Sequence, residues 1–174
     1  MARKKSFSGL EPATAETAHG APLREFSRSL PMSLLRAREA VMRQFRPSLR
    51  VYGLTEQQWR ILRALNSVES IEVTELARLA FLLGPSLSRI LRDLEARNLI
   101  ERKTAKADQR RSMVSISREG VKLMASVAPS SEAIYAEITR RYGARRLAEL
   151  QEMLGHLEQS LAELGVSEEA IAEE

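Results

Sequence analysis

Apolar residues recur at helical spacing along most of this chain, and the interruptions mark where its elements end. Leu34, Ala37, Val41 and Phe45 lie three and four residues apart, which predicts a helix over 33–50. Pro47 is expected to bend or end it. Thr55 and Gln58 have the spacing of a capping box, with Leu54 and Trp59 at the two staple positions around it. The next helix therefore starts at 54–65 and turns Trp59, Leu62 and Leu65 inward. Ile71 and Val73 alternate with Glu72, as a short strand does. Thr74 is suited to cap a helix over 74–81. The segment 82–85 breaks that helix, and Pro85 fits the first turn of a new one.

That new helix, 86–98, carries Leu87, Ile90, Leu91 and Leu94 on a single face. Two strand candidates, 100–104 and 112–117, flank a charged segment at 105–111, which predicts a hairpin with a basic tip. Ser117 is placed to cap a long helix through Met124, Val127, Ile134 and Ile138, with a bend expected at Pro129 and an end at Gly143. The last helix repeats Leu147, Leu150, Leu154, Leu157, Leu161 and Leu164 in steps of three and four. This is a leucine heptad seam, and one small domain has little left to cover it, so a second chain is expected there. Residues 1–28 lack periodicity and read as a tail, and 165–174 read as an acidic tail. The domain is expected over 29–164, with helices 33–50 and 118–164 for dimerisation and 54–117 as a separate lobe.

Composition narrows the function. The 174 residues include no cysteine, which excludes disulfides, thiolate metal sites and cysteine nucleophiles. The longest uncharged stretch, 79–88, is too short to span a bilayer. Arg3, Lys4 and Lys5 are not followed by an apolar run, so no secretory signal is read and a cytoplasmic protein is expected. His19 and His156 are the only histidines, and their placement suits neither a metal nor a serine nucleophile. There is no glycine-rich phosphate loop. An enzyme is therefore not expected, and no cofactor is implied.

The net charge of +4 is unevenly spread. Residues 84–111 hold eight basic and four acidic side chains, whereas 145–174 hold two basic and eight acidic. The basic middle coincides with two helices, a four-residue break and a hairpin, the order of a winged helix-turn-helix. Ala80, Gly84 and Ile90 suit its packing: a small residue where the helices approach, a glycine for the turn, an apolar residue reaching the core. The outer face of the second helix shows Ser86, Ser88, Arg89 and Arg92, with Asp93 beside them. Hydroxyls and guanidinium groups are what phosphates and guanine edges select in a major groove. Lys106, Arg110 and Arg111 at the hairpin tip suit contact with DNA, with Arg110 entering or bordering the minor groove, and Asp108 suits holding a nearby arginine in place.

Arg38 shares a helix face with Leu34, Val41 and Phe45, where a charge must find water, an acidic partner or a ligand. With Trp59 it forms a candidate site for an aromatic acid, and Arg36 is a second candidate cation. The alternatives are that Arg38 pairs with an acidic side chain of its own or of a partner subunit or reaches water along its stem, and that Trp59 is a core residue, the reading its position favours.

The helix order, the turn 108–111 and the following 112–120 resemble the MarR family. Asp108 and Arg110 match its D-x-R wing motif, and Ser117 and Gly120 match its L-T-x-x-G end with serine for threonine. The segments 33–47, 54–62, 85–91 and 106–110 are similar to the homoprotocatechuate-degradation repressors of the HpaR type within that family. The resemblance covers about residues 30–164. It implies a homodimer with interlocked terminal helices, a palindromic double-stranded operator, and release by an aromatic acid bound beneath the DNA lobe. Gly84 stands where that subgroup can carry arginine, so the effector can differ. The rival readings are an adaptor module that uses its helix-turn-helix for protein contact, and a regulator of the same family acting on an unrelated pathway, as activator or repressor.

Overall fold

The structure is a computed structural model and describes residues 25–104 and 112–162. The described residues divide into two units between Ala37 and Arg38. In the first, a 3-10 turn at Phe26–Arg28 leads into helix α1, Leu30–Val51. There the Arg36 guanidinium donates to the Ser27 carbonyl at 2.6 Å, and Phe26 lies exposed.

The second unit contains the rest of α1 and five further helices among the described residues: α2 (Glu56–Asn66), α3 (Val73–Ala80), α4 (Gly84–Ala96), α5 (Arg118–Tyr142) and α6 (Ala144–Ala162). Three strands, β1 (Ile71–Glu72), β2 (Ile100–Thr104) and β3 (Ser112–Ile116), form an antiparallel sheet in the order β1-β3-β2. β2 and β3 form the expected hairpin. Pro47 and Pro129 both lie inside continuous helices.

The capping box is present. Thr55 Oγ1 accepts from Gln58 N, and Gln58 Oε1 accepts from Thr55 N. Ser117 caps α5 by accepting from Gly120 N at 2.9 Å, and its hydroxyl also donates to the Asn98 carbonyl at 2.6 Å. Thr74 does not cap α3. Glu72 takes the extended cap position, Val73 starts the helix, and the Thr74 hydroxyl instead donates to the Glu72 carboxylate at 3.1 Å.

Three helices end in the same closure. After α1, α3 and α4 the chain takes a left-handed residue, at Gly53 (φ 64°), Phe81 (φ 49°) and Asn98 (φ 56°) respectively. In each, two N–H groups turn back onto the last carbonyls: Gly53 and Leu54 onto Arg50 and Leu49, Phe81 and Leu82 onto Arg78 and Ala77, Asn98 and Leu99 onto Glu95 and Leu94. The turn between α3 and α4 was expected to use Gly84. It uses Phe81 instead, and Gly84 becomes the first residue of α4 with Pro85 behind it. Ala80 and Ile90 are buried as the packing requires.

The core is built on α2. Ile61, Leu62 and Leu65 are fully buried, as are Leu76 of α3, Leu87, Leu91 and Leu94 of α4, and Val114 of β3. Phe45 and Leu49 of α1 and Val127 of α5 extend it, and two hydrogen bonds, Ser48 to Ser130 and Tyr52 to the Ser126 carbonyl, tie α1 and the residue after it to α5.

Gly120 marks the tightest approach. A Cβ there would stand 2.2 Å from the Leu99 carbonyl oxygen and 2.7 Å from Ile116 Cγ1. The neighbour is backbone and cannot swing aside. Gly120→Ala is expected to destabilise the fold by about 1–3 kcal/mol or more. A urea midpoint unchanged from the parent protein would contradict this packing.

Candidate functional site

α4 has two unlike faces. Leu87, Ile90, Leu91 and Leu94 are buried, while Ser86, Ser88, Arg89 and Arg92 are exposed, so one helix brings all four expected reading residues to one surface. Neither Arg89 nor Arg92 meets a carboxylate among the described residues. Two polar ties hold the helix in place. Gln58 Nε2 donates to Asp93 Oδ2 at 2.6 Å, and Arg97 donates to the Gly53 carbonyl at 3.0 Å. Asp93 therefore anchors α4 to the start of α2. Lys106, Asp108, Arg110 and Arg111 fall outside the described residues.

Beneath the helix-turn-helix lies a cleft of about 610 Å³. Arg38, Phe45, Trp59, Arg63, Phe81 and Tyr135 are among the residues that line it. Arg38 and Trp59 are thus brought together. Arg36 belongs to the other unit and has its own partner in Ser27.

Arg38 is not a free cation. It pairs with Glu56 and, at 3.1 Å, with Glu39. Arg46 meets the same two carboxylates at 2.8 and 3.1 Å, and Arg60 meets Glu56 at 3.3 Å. The Arg46 hydrogen bond, then the charges of Arg46, Arg38 and Arg43, hold the Glu39 carboxyl below its ordinary range. Three arginines therefore share two carboxylates.

Arg63 was missed by sequence reasoning. Its guanidinium lies 6.0 Å from the centre of the buried Trp59 ring, one helical turn away, and reaches the Tyr135 hydroxyl at 3.5 Å. It meets no carboxylate among the described residues. Phe45 packs edge-on against Tyr135 with centroids 5.0 Å apart. The cleft thus offers aromatic walls, a positive excess and one arginine without an acidic partner. That combination suits a flat anion. Among the described residues no group of acidic or histidine side chains could hold a metal, and no helix is long and apolar enough to cross a membrane.

A MarR family model matches residues 52–111. Over 126 residues the chain is 38% identical to the homoprotocatechuate degradative operon repressor of Escherichia coli, covering 72% of this chain and 85% of that protein. Over 148 residues it is 38% identical to the HTH-type transcriptional regulator FarR of Neisseria gonorrhoeae, covering 82% of this chain and 93% of that one. It is similar to the solved structure of NadR in complex with 4-hydroxyphenylacetate, with 35% identity, a TM-score of 0.68, and coverage of 79% of this chain and 97% of NadR.

Gln58 serves the cap and the seat of α4 together, and it is nearly buried. Gln58→Ala is expected to cost about 1–2 kcal/mol, through the Thr55 N–H left without its acceptor and the lost bond to Asp93, while the Thr55 Oγ1 cap on the backbone N–H of residue 58 is kept. Thermal unfolding reads this directly. Stability within error of the parent would remove Gln58 from that role.

Proposed function

The chain belongs to the MarR family of transcriptional regulators, and from that premise we propose that it is a homodimeric repressor of aromatic-compound catabolic genes, released from a palindromic operator by a small aromatic acid. The observation that carries the effector half is the Arg63–Trp59–Tyr135 corner of the cleft, a cation on an aromatic wall with no acidic partner among the described residues. The 4-hydroxyphenylacetate bound to NadR is an aryl acid of the size and charge such a corner suits.

In this reading Arg63 takes the carboxylate and Trp59 packs on the ring. Arg38, already engaged by Glu39 and Glu56, contributes to the potential more than to direct binding. Ser86, Ser88, Arg89 and Arg92 enter the major groove, and Lys106, Arg110 and Arg111 reach the minor groove, with Asp108 steadying the wing.

The dimer reading rests on α6. None of its residues is buried, and Leu154 and Leu161 are 41% and 50% exposed. A second chain that covers this seam would set two recognition helices roughly 34–36 Å apart, one DNA turn. Asp substitutions at Leu157 and Leu161 together are expected to give a monomeric or unfolded protein without operator binding. A folded monomer that still protects a full palindrome would end the dimer reading.

DNA and effector are tested on one duplex, selected by the protein from a random pool. Arg89→Ala is expected to cost about 1–3 kcal/mol of binding and to relax the preference at one base pair, with folding intact. Calorimetry with 4-hydroxyphenylacetate should show binding that Arg63→Ala removes and Arg38→Ala only weakens. Unchanged DNA affinity in Arg89→Ala would overturn the interface, and an undiminished heat in Arg63→Ala would overturn the carboxylate assignment.

A further inference from the structure

The last four carbonyls of any helix lack helical N–H partners. At the end of α3, the N–H groups of Phe81 and Leu82 take the carbonyls of Arg78 and Ala77. The Ala80 carbonyl is taken by a side chain: Arg60 Nη1 of α2 donates to it at 2.7 Å. The other arm of the same guanidinium, Nη2, lies 3.3 Å from Glu56 Oε1. Glu56 in turn holds Arg38 and Arg46. Arg38, Glu56, Arg60 and Phe81 all border the cleft. One planar group thus has one arm in the charge network of the cleft and the other on the backbone of the helix-turn-helix turn.

We infer that Arg60 is the positioning residue that carries occupancy of the cleft to the DNA-reading helix: a carboxylate held by Arg63 also attracts the Arg60 guanidinium, three residues before it on α2 and lining the same cleft, draws it off the Ala80 carbonyl and loosens the turn that precedes α4. This rests on the aromatic-acid reading for the ligand but not for the contact itself. A guanidinium favours a carboxylate, which carries the opposite charge and can accept two parallel N–H bonds, over a single neutral carbonyl. Glu56 serves three arginines and holds Arg60 by a long contact, so a second carboxylate is a better partner than the one Arg60 has. Ala80 is fully buried, so its carbonyl loses its donor where water does not readily replace it. The next residue, Phe81, is a bulky side chain held at φ 49°, a conformation that persists only while its surroundings enforce it. α4 begins at Gly84, three residues further on.

The experiment uses the full chain, the selected duplex and 4-hydroxyphenylacetate as probe, with Arg60→Gln and Arg60→Lys. Lysine keeps the charge but cannot fork between two partners. Two readouts are taken: amide hydrogen exchange over 79–84 without ligand, and duplex affinity with and without the probe. Both variants are expected to exchange roughly tenfold faster at the turn, as loss of one hydrogen bond would give, while α2 and α5 stay at parental rates. The probe should weaken duplex binding by about 5- to 150-fold in the parent and less than about threefold in the variants. Parental exchange at the turn, or parental coupling in both variants, would overturn the inference. A parent that ignores the probe while the variants loosen the turn would overturn the aromatic-acid reading and support the tie between Arg60 and the turn.

Discussion

α2 must be two things at once, and the rest of the molecule follows from how its eleven residues divide that task. One stripe, Ile61, Leu62 and Leu65, is fully buried and gathers α3, α4 and β3 around it. That burial is the main source of cohesion in the DNA lobe, since each such side chain contributes roughly 1.5–3 kcal/mol when removed from water. The flanks of the stripe are charged or aromatic at i, i+4 spacing: Glu56 with Arg60, and Trp59 with Arg63. These flanks form the wall of the cleft. A helix so placed cannot move its core stripe without moving its cleft wall, and its first turn, through Gln58 and Asp93, also seats α4.

Much of this was legible in the sequence because it is local. The Thr55–Gln58 box, the Ser117 cap and the α4 stripe each need only neighbours within one or two turns, and all three appear as expected. The family and the winged helix-turn-helix arrangement were legible for the same reason. What escaped depends on competition or on distance. Thr74 is a good cap in isolation, but its hydroxyl is spent on the Glu72 carboxylate one residue outside the helix. Gly84 is the natural residue for a left-handed turn, yet the closure of α3 falls three residues earlier, on Phe81. Nothing near β1 in sequence announces that Ile71 pairs with Val114.

The Arg63–Trp59–Tyr135 corner of the cleft shows the same division. Trp59 and Arg38 were singled out from their helix faces, and the cleft does join them. The ion pairs that occupy Arg38 come partly from another helix and so were invisible to periodicity. Arg63 left a readable trace, its i+4 spacing from Trp59, but charge at that position is ordinary on a solvated helix. Only the fold reveals that it lies by an aromatic ring and a tyrosine hydroxyl with no carboxylate beside it among the described residues.

Regulation then becomes a question of differential binding. A ligand that binds equally well to the DNA-competent and the incompetent arrangement shifts nothing, however tightly it binds. A cleft of purely apolar walls would have little reason to discriminate. This one borders both the arginine-rich network and the residue that closes α3, so a guanidinium group proposed to meet an anion also holds the turn before α4. Arg38, Arg46 and Arg60 sharing Glu39 and Glu56 leave one positive charge in excess, and Arg63 adds another. In the proposed function, an anion would relieve this excess of positive charge by redistributing partners. On that proposal, the free energy of the redistribution, and not the total affinity, is what would reach α4.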